Sequence, residues 1–228
     1  MGLDHSPLVV TDGLMVYLDA RNTRSYPGTG NTWYDLKGNI NFALQNNPPF
    51  LSDSAGGSIG FTAASSHWAL SSNNLPLMTR FSVEVWHFYT GVNTGTSPVI
   101  VTETYPGTTN SINFNLGATT NIGLLRFGYF NNGWNESGVY NLTANAWYHI
   151  VGTFDGTNLR LFINTVNQIT TLNGGTPVAN TGGIRLMRRW DGAEYWGGHL
   201  STVKIYNRAL SATEIVQNYN ATKKRYGL

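Results

Sequence analysis

Residues 147–164 read WYHIVGTFDGTNLRLFIN, which is two apolar runs joined by the turn sequence DGTN at 155–158. A Gly that follows an Asp readily adopts the positive φ that a tight hairpin turn requires. In the second run Leu159, Leu161 and Ile163 share one face, with the period of two that a half-buried strand shows. The stretch therefore predicts a β-hairpin with these three side chains in the core.

Similar short runs recur along the rest of the chain and are separated by Gly, Asn and Pro, as expected for strands and turns. The run LMVYL at 14–18 is apolar on both faces, which predicts a strand with core on one side and aromatics or a neighbouring loop on the other. Further strands are predicted at 58–62, 81–89, 98–103, 112–116, 123–130, 147–154, 159–164, 183–187 and 198–206. The chain is therefore almost wholly β.

A short helix is predicted at the C-terminal end, over residues 211–226. Ser211 and Glu214 have the spacing of a capping box, in which each side chain satisfies an otherwise free backbone N–H. The basic run 223–225 would lie in the last turn, where cations oppose the negative end of the helix dipole. Gly227 is placed to end the helix.

The bulk composition favours one large β domain. The chain has 228 residues, of which 41% are hydrophobic, 11% are charged and 26 are Gly. All-β sandwiches of this length commonly form one domain, so residues 1–228 are taken as one, with residues 1–11 as a candidate N-terminal arm.

Charge and cysteine content exclude several classes of partner and site. The net charge of +2 is too small to favour nucleic acid, which requires clustered Lys and Arg. The absence of Cys excludes disulfides and thiolate metal sites. No apolar run is long enough for a signal-peptide core or a membrane span. We therefore expect synthesis in a host cytoplasm and no membrane insertion.

Four segments, taken in order, carry a family resemblance. They are GLMVYLDA with SYPGTG and WYDL between residues 13 and 36, FSVEVW at 81–86, the hairpin at 147–164, and VKIYNRALS with EI between residues 203 and 215. Together they resemble the laminin G-like and concanavalin A-like lectin/glucanase superfamily. The resemblance implies an all-β jelly-roll sandwich of two antiparallel sheets, with the short C-terminal helix beside it. Its members include lectins, adhesive modules, glycosidases and surface components of phage virions, so the fold leaves function open.

The closing segments QNYNA at 217–221 and RYGL at 225–228 look most like versions found in phage and environmental viral proteins. This resemblance favours a virion surface protein, either a capsid decoration or a tail-associated component. Its partners would be other virion proteins or copies of itself, through an interface that the N-terminal arm could supply. The alternative is a free carbohydrate-binding lectin, with an extracellular location.

Catalysis is not favoured by the distribution of acids. A retaining glycosidase needs two carboxyl groups about 5 Å apart, which on one strand means acids two residues apart. None of the 12 acidic residues are separated by two positions, and the closest pair is Asp191 and Glu194. We therefore predict a non-catalytic module, with a glycoside hydrolase as the less favoured alternative. Glu84, His87 and His149 are interpreted as structural residues.

Two loops have the composition of a sugar site, NNGWNE at 131–136 and RRWDGAEYW at 188–196. Aromatic faces stack on sugar C–H surfaces, while amides and acids bind hydroxyls. The candidate ligand-binding residues for a cell-surface glycan are Asn132, Trp134, Arg188, Trp190, Asp191 and Tyr195. In the structural alternative, Trp190 and Trp196 cover a sheet edge and an arginine, Arg188 or Arg189, stacks on them.

These patterns require no cofactor, but they leave the binding of calcium open. Laminin G-like domains often bind it through rim-loop oxygens, and Asp155, Asp191 and Asn132 supply oxygens of that class. No loop shows the ligand density of an EF-hand, and Asp155 is explained more simply as a turn former.

Overall fold

A computed structural model describes residues 8–104, 111–118, 123–172, 175–177 and 182–228. Its strands, in chain order, are β1 (Leu14–Asp19), β2 (Thr32–Trp33), β3 (Phe42–Gln45), β4 (Phe50–Leu51), β5 (Ser58–Phe61), β6 (Trp68–Ser71), β7 (Phe81–Asn93), β8 (Val99–Thr104), β9 (Ser111–Ala118), β10 (Leu124–Asn131), β11 (Trp134–Glu136), β12 (Tyr140–Asn141), β13 (Ala146–Phe154), β14 (Asn158–Ile163), β15 (Val166–Leu172), β16 (Ile184–Leu186) and β17 (Trp196–Tyr206). One α-helix, α1 (Ala212–Thr222), follows, and two short 3₁₀ turns lie at Ala63–Ser65 and Lys223–Tyr226.

The strands form two antiparallel sheets that pack face to face. Sheet A has the order β15-β14-β13-β7-β17-β5-β4, with β1 also paired to β17. Sheet B has the order β11-β10-β9-β8-β16-β6-β3-β2, with β12 also paired to β10. The predicted all-β jelly-roll sandwich with one short C-terminal helix is confirmed.

The main core lies between the two sheets and includes the predicted face of the hairpin. Leu159 and Leu161 are fully buried and Ile163 is nearly so, while β13 and β14 pair from Phe154↔Leu159 to Ile150↔Ile163. Opposite the hairpin, the Phe127 ring of sheet B packs directly over the backbone of Gly152. The two sheets therefore meet closely at a position without a side chain.

A second apolar cluster lies on the outer face of sheet A, beneath α1. It contains Val10, Leu14, Val151, Phe162, Tyr206, Leu210 and Ile215. Burial on both faces of sheet A explains the two-faced apolar pattern of β1, in which Val16 and Leu18 belong to the main core and Tyr17 packs against the second cluster. Leu14 also belongs to the second cluster, because the register of β1 shifts between Leu14 and Val16.

The C-terminal helix begins as predicted but ends earlier. Ser211 and Glu214 form the capping box. The expectation that residues 223–225 occupy the last helical turn was wrong, because α1 ends at Thr222 and a 3₁₀ turn follows. Arg225 instead binds Asp19, with Nη1 2.9 Å from Oδ2. This tertiary ion pair, and not the helix dipole, accounts for that cation, and Gly227 ends the turn at φ 72°.

The first described residues pack on α1. Val10 N donates to Asn218 Oδ1 at 2.7 Å, and Val10 O accepts from the Tyr206 hydroxyl at 3.2 Å. Gln217 Nε2 donates to Leu8 O at 2.7 Å. Residues 1–7 of the predicted N-terminal arm lie outside the described residues, so an interface supplied by that segment stays a prediction.

Seven short or peripheral strands were not predicted, namely β2, β3, β4, β6, β11, β12 and β15. Most have two to four residues, too few to show a period. Strand β15 lies at an edge of sheet A and has only exposed and half-buried positions, which gives it little apolar signal. In the described part of the chain, no helix has the length and hydrophobicity of a membrane span.

Candidate functional site

A groove of about 300 Å³ lies on the outer face of sheet B, within the lower range of volumes typical of ligand sites, ~300–1,000 Å³. It is formed by β9, β10 and β11, together with the loops before β8 and after β16. The residues that line it are Ser97, Val99, Asn115, Ala118, Arg126, Trp134, Glu136, Arg189 and Trp190. We refer to these residues as the sheet B groove.

The floor of the groove follows from strand alternation. Phe114 and Leu116 are buried in the core, so Asn115 between them faces outward. By the same alternation, Arg126 faces outward between two core residues of β10, Leu125 and Phe127. Both outward positions therefore present polar groups to the groove.

Three strands place the polar groups in one row. Gly128 of β10 pairs with Asn115 of β9 on one side and with Glu136 of β11 on the other. Arg126 Nη1 lies 2.8 Å from Glu136 Oε2, which forms an ion pair across the row. Burial raises the pKa of Glu136, while Arg126 opposes that shift.

Several polar atoms in the groove walls have unused bonding capacity. Asn115 Oδ1, Arg126 Nε and Glu136 Oε1 are buried and have no hydrogen-bond partner among the described residues. Because an unpaired buried polar group costs ~1–3 kcal/mol, such groups are expected to acquire partners, either water or a ligand. The groove thus combines two acceptors and one donor that the described part of the chain leaves unsatisfied.

The two loops predicted from sequence meet at this groove. Trp134 is 45% exposed and rests edge-on against Phe130, with 5.3 Å between ring centroids. Trp190 comes from the loop after β16, where the Arg189 guanidinium lies 5.0 Å from its ring. Two indole rings from distant parts of the sequence therefore line one cavity.

The loop that carries Trp190 is braced by ion pairs. Arg189 Nη1 lies 2.7 Å from Glu194 Oε1, and Arg189 Nε lies 3.4 Å from Asp191 Oδ2. Glu194 Oε2 also accepts a hydrogen bond from Ser97 N. These contacts hold the walls of the groove before any ligand arrives.

Four of the predicted site residues do not line the groove. Arg188 stacks on Trp68 at 4.1 Å and lies 5.8 Å from the Tyr195 ring. Asp191 binds Arg189 and accepts from Ala193 N at 3.1 Å. Asn132 occupies a turn at φ 51°. Of the six predicted residues, the structure brings Trp134 and Trp190 together and assigns the others to turns and supporting contacts.

The structural alternative is met in part. Arg189 does stack on Trp190, as that interpretation expected. Trp196, however, is fully buried, and its Nε1 donates to His87 Nε2 at 3.0 Å. It therefore belongs to the core and does not cover an exposed edge.

Sequence analysis missed Asn115 and Arg126 as candidate residues. Each is a polar side chain set between two large apolar residues of a strand, in the segments FNL at 114–116 and LRF at 125–127. That pattern marks the outward face of a half-buried strand. It does not reveal which neighbouring strands complete the row.

The calcium candidates lie in three separate turns. Asp155 Oδ1 accepts from the backbone N of Thr157 at 2.9 Å and of Asn158 at 2.7 Å, and Oδ2 binds Arg160 Nη1 at 2.5 Å. Burial raises the pKa of Asp155, but these hydrogen bonds outweigh burial and lower it to about 2. Asp155 therefore does not fit a calcium ligand. Within the described ranges, no group of three or more His, Cys, Asp or Glu could hold a metal ion.

The carboxylates divide into structural and groove positions. Glu84, interpreted from sequence as a structural residue, is fully buried on sheet A and bound by Lys204 and His149. Among the described residues that line the sheet B groove, Glu136 is the single carboxylate. The Glu136 carboxylate can therefore accept hydrogen bonds from hydroxyl groups, but the described lining residues lack the carboxyl pair of a two-acid glycosidase.

Comparison with known families confirms the predicted resemblance. Residues 62–216, more than half of the chain, match the family described as the concanavalin A-like lectin/glucanases superfamily. The chain belongs to this superfamily. No curated protein matches its sequence significantly.

Solved structures with the same fold include both enzymes and binding domains. Domain 4 of AbnA, a GH43 extracellular arabinanase from Geobacillus stearothermophilus solved with arabinotriose, has a TM-score of 0.70 and 15% identity over 91% of this chain and 98% of that chain. The binding domain of Paraclostridial Mosquitocidal Protein 1 has a TM-score of 0.68 and 15% identity over 93% of this chain and 52% of that chain.

A Trypanosoma rangeli sialidase in complex with the inhibitor DANA has a TM-score of 0.66 and 16% identity. The match covers 97% of this chain but 36% of the sialidase, so this chain spans about a third of that enzyme. At these identities the likeness establishes the fold alone.

Proposed function

We propose that the chain is a non-catalytic glycan-binding module whose ligand occupies the sheet B groove. The observation that carries this proposal is the convergence of Trp134 and Trp190 on a cavity walled by Asn115, Arg126 and Glu136. Exposed indole faces together with a few fixed polar groups are the usual means of holding a sugar ring.

The polar atoms fit a ligand rich in hydroxyl groups. Asn115 Oδ1 and Glu136 Oε1 accept hydrogen bonds, and Arg126 Nε donates one. Each sugar hydroxyl can serve as both donor and acceptor, so small rotations of these side chains on ligand entry would satisfy all three atoms. Arg126 and Glu136 form an ion pair, so the net charge of this wall is close to zero.

The structural neighbours support the proposal without establishing it. The arabinanase domain was solved with arabinotriose, and the mosquitocidal domain is described as a binding domain. Lectin-like and catalytic proteins share the fold, so the function depends on the groove and not on the architecture.

The test is a glycan array probed with the wild-type protein, Trp134→Ala and Trp190→Ala. Each substitution should weaken the groove-dependent signals by about tenfold or more, which corresponds to ~1.4 kcal/mol. Tyr34→Ala is the matched control, because Tyr34 is also 45% exposed and does not line the groove. An array on which neither tryptophan substitution lowers any signal would contradict the proposal.

We further propose that the module is displayed on a virion surface, as a capsid decoration or a tail-associated protein. The support is the resemblance of segments 217–221 and 225–228 to phage proteins. Those segments lie in α1 and the turn after it, which pack on sheet A and leave the sheet B groove free for a host-surface glycan. Co-sedimentation with purified particles tests this role, and a protein found only in the unassembled fraction would contradict it.

A further inference from the structure

A row of three aromatic side chains crosses the outer face of sheet A, beyond the end of α1. Trp147 of β13 pairs with Phe88 of β7, which pairs with His199 of β17. The Phe88 ring centroid lies 5.6 Å from that of Trp147 and 5.0 Å from that of His199. We refer to these three residues as the aromatic row.

The aromatic row is partly accessible, whereas the neighbouring residues of the same strands are covered. Trp86 and His149 lie two residues from Phe88 and Trp147 on the same two strands. Both are fully buried, and both rings contact Tyr219 of α1. Trp147, Phe88 and His199 are only partly buried. Among the described residues, the cover that α1 and the turn after it give to these strands ends at Trp147, which Tyr226 still contacts.

Two cavities flank the row. One of about 590 Å³ lies between Trp147 and the segment 50–55. The other, of about 370 Å³, is lined by His199, Gly60, Thr62, Thr90 and Val92, among others. Leu51 lines both, so the segment 50–55 forms the ridge between them.

The polar rim on this ridge is held in place. Ser54 Oγ lies 3.2 Å from His199 Nδ1, and Ser54 O accepts from Gly57 N at 3.0 Å. Gly57 O in turn accepts from Ser201 Oγ of β17 at 3.0 Å. A rim fixed before binding loses little conformational entropy when a ligand arrives.

The charge of the site restricts its ligand class. The described residues that line the two cavities include no Lys or Arg, and Asp53 is the one carboxylate among them. Burial lowers the pKa of His199, which keeps its imidazole neutral at neutral pH. A site with one negative charge and no cation disfavours anionic ligands such as phosphates and sialylated glycans.

We propose that the aromatic row is a second saccharide site, which takes a neutral glycan and is independent of the sheet B groove. The rings would stack on sugar C–H faces, while the Asp53 carboxylate and His199, whose Nδ1 already lies 3.2 Å from Ser54 Oγ, would bind hydroxyl groups, His199 through Nε2. The row spans two strand spacings, ~10 Å, which suits an extended oligosaccharide better than a compact cation. Because the two sites lie on opposite sheets, one chain can hold two glycan segments.

The test is an array of neutral and sialylated oligosaccharides probed with the wild-type protein, Trp134→Ala, Trp147→Ala and Asp53→Lys. Some neutral glycans should remain bound by Trp134→Ala and should lose about tenfold or more of their signal in Trp147→Ala and Asp53→Lys. Asp53→Lys is included because Trp147 also contacts Tyr226 and its removal disturbs packing. Ser72→Lys, at another exposed position, is the matched control and should bind as the wild type does.

Each outcome separates this inference from the proposed function. Loss of every signal in Trp134→Ala, with Asp53→Lys unchanged, contradicts the second site alone. Loss confined to Trp147→Ala and Asp53→Lys contradicts the sheet B groove alone. A blank array also overturns the second site. So does a competition experiment in which choline, a compact cation, displaces the bound glycan and free neutral oligosaccharide does not.

Discussion

Glu84 of β7 and Lys204 of β17 form a completely buried ion pair beneath α1, with 2.6 Å between Oε1 and Nζ. Glu84 Oε1 also lies 3.1 Å from His149 Nε2, and Oε2 accepts from Asn218 Nδ2 at 2.6 Å. One carboxylate therefore joins three neighbouring strands to the helix. Because both of its oxygens are bound, the cost of burying the charge is offset by hydrogen bonds.

We predict that Glu84→Gln lowers the free energy of unfolding by about 3–5 kcal/mol, since the Lys204 ammonium would stay buried without its counter-ion. Urea unfolding followed by circular dichroism measures the change. Asp12→Asn is the control, because the Asp12 side chain is 84% exposed in its pair with Arg208 and should matter by less than ~1 kcal/mol. Equal losses in the two variants would contradict the structural role of Glu84.

Acid should weaken the fold through the same carboxylate. Burial raises the pKa of Glu84, but Lys204 and His149 outweigh burial and lower it to about 2, from 4.5. The folded state therefore binds fewer protons than the unfolded state between these values. The contribution of Glu84 is fully present above pH 4.5 and is lost as the pH falls toward 2. Between pH 6 and pH 2, the free energy of unfolding should fall less steeply in Glu84→Gln than in the wild type.

His87 should cause a separate loss of stability, at a higher pH than that of Glu84. Its Nδ1 lies 3.0 Å from His199 O and its Nε2 accepts from Trp196 Nε1, so the buried ring is neutral. Burial lowers its pKa from 6.5 to about 3. Its contribution is present above pH 6.5 and is lost as the pH falls below that value, with a slope of ~1.4 kcal/mol per pH unit for one proton. His87→Asn should reduce the slope of the free energy of unfolding against pH between pH 6 and 4. An unchanged slope would show that His87 is not the group that takes up the proton on unfolding.

The close approach of the sheets at Gly152 predicts a cost for any side chain there. In Gly152→Ala the new Cβ would overlap the Phe127 ring, and we expect a loss of about 1–3 kcal/mol from overpacking. Gly133→Ala is the matched control, because a Cβ there meets nothing within 4 Å. Thermal unfolding of both variants checks the prediction, which fails if Gly152→Ala is as stable as Gly133→Ala.

Glu136 should act in binding and not in bond cleavage. Glu136→Gln replaces a charged acceptor by a weaker neutral one, so we expect glycan affinity to fall by about tenfold. Neither the wild type nor the variant should release reducing ends from bound oligosaccharides, which chromatography of the mixture would detect. Product formation by the wild type that Glu136→Gln abolishes would identify a hydrolase instead.

Sequence patterns predicted the long strands other than β15, because their apolar signal extends over six or more residues. The hairpin around Asp155-Gly156 and the capping box at Ser211 depend on local chemistry, and both formed as expected. The two-residue strands β2, β4 and β12 depend on neighbours distant in sequence, so no local pattern revealed them. The same limit applied to Arg225, whose partner Asp19 lies at the other end of the chain.

The sequence by itself determined the all-β class, the superfamily and the two tryptophan loops, since side-chain period, turn residues and ordered motifs are local or collinear features. Only the tertiary structure decided that Trp134 and Trp190 share one groove with Asn115 and Glu136, and that Trp147 and His199 lie in one row. Such sites arise from strand order, and strand order is set by long-range pairing that brings remote segments side by side.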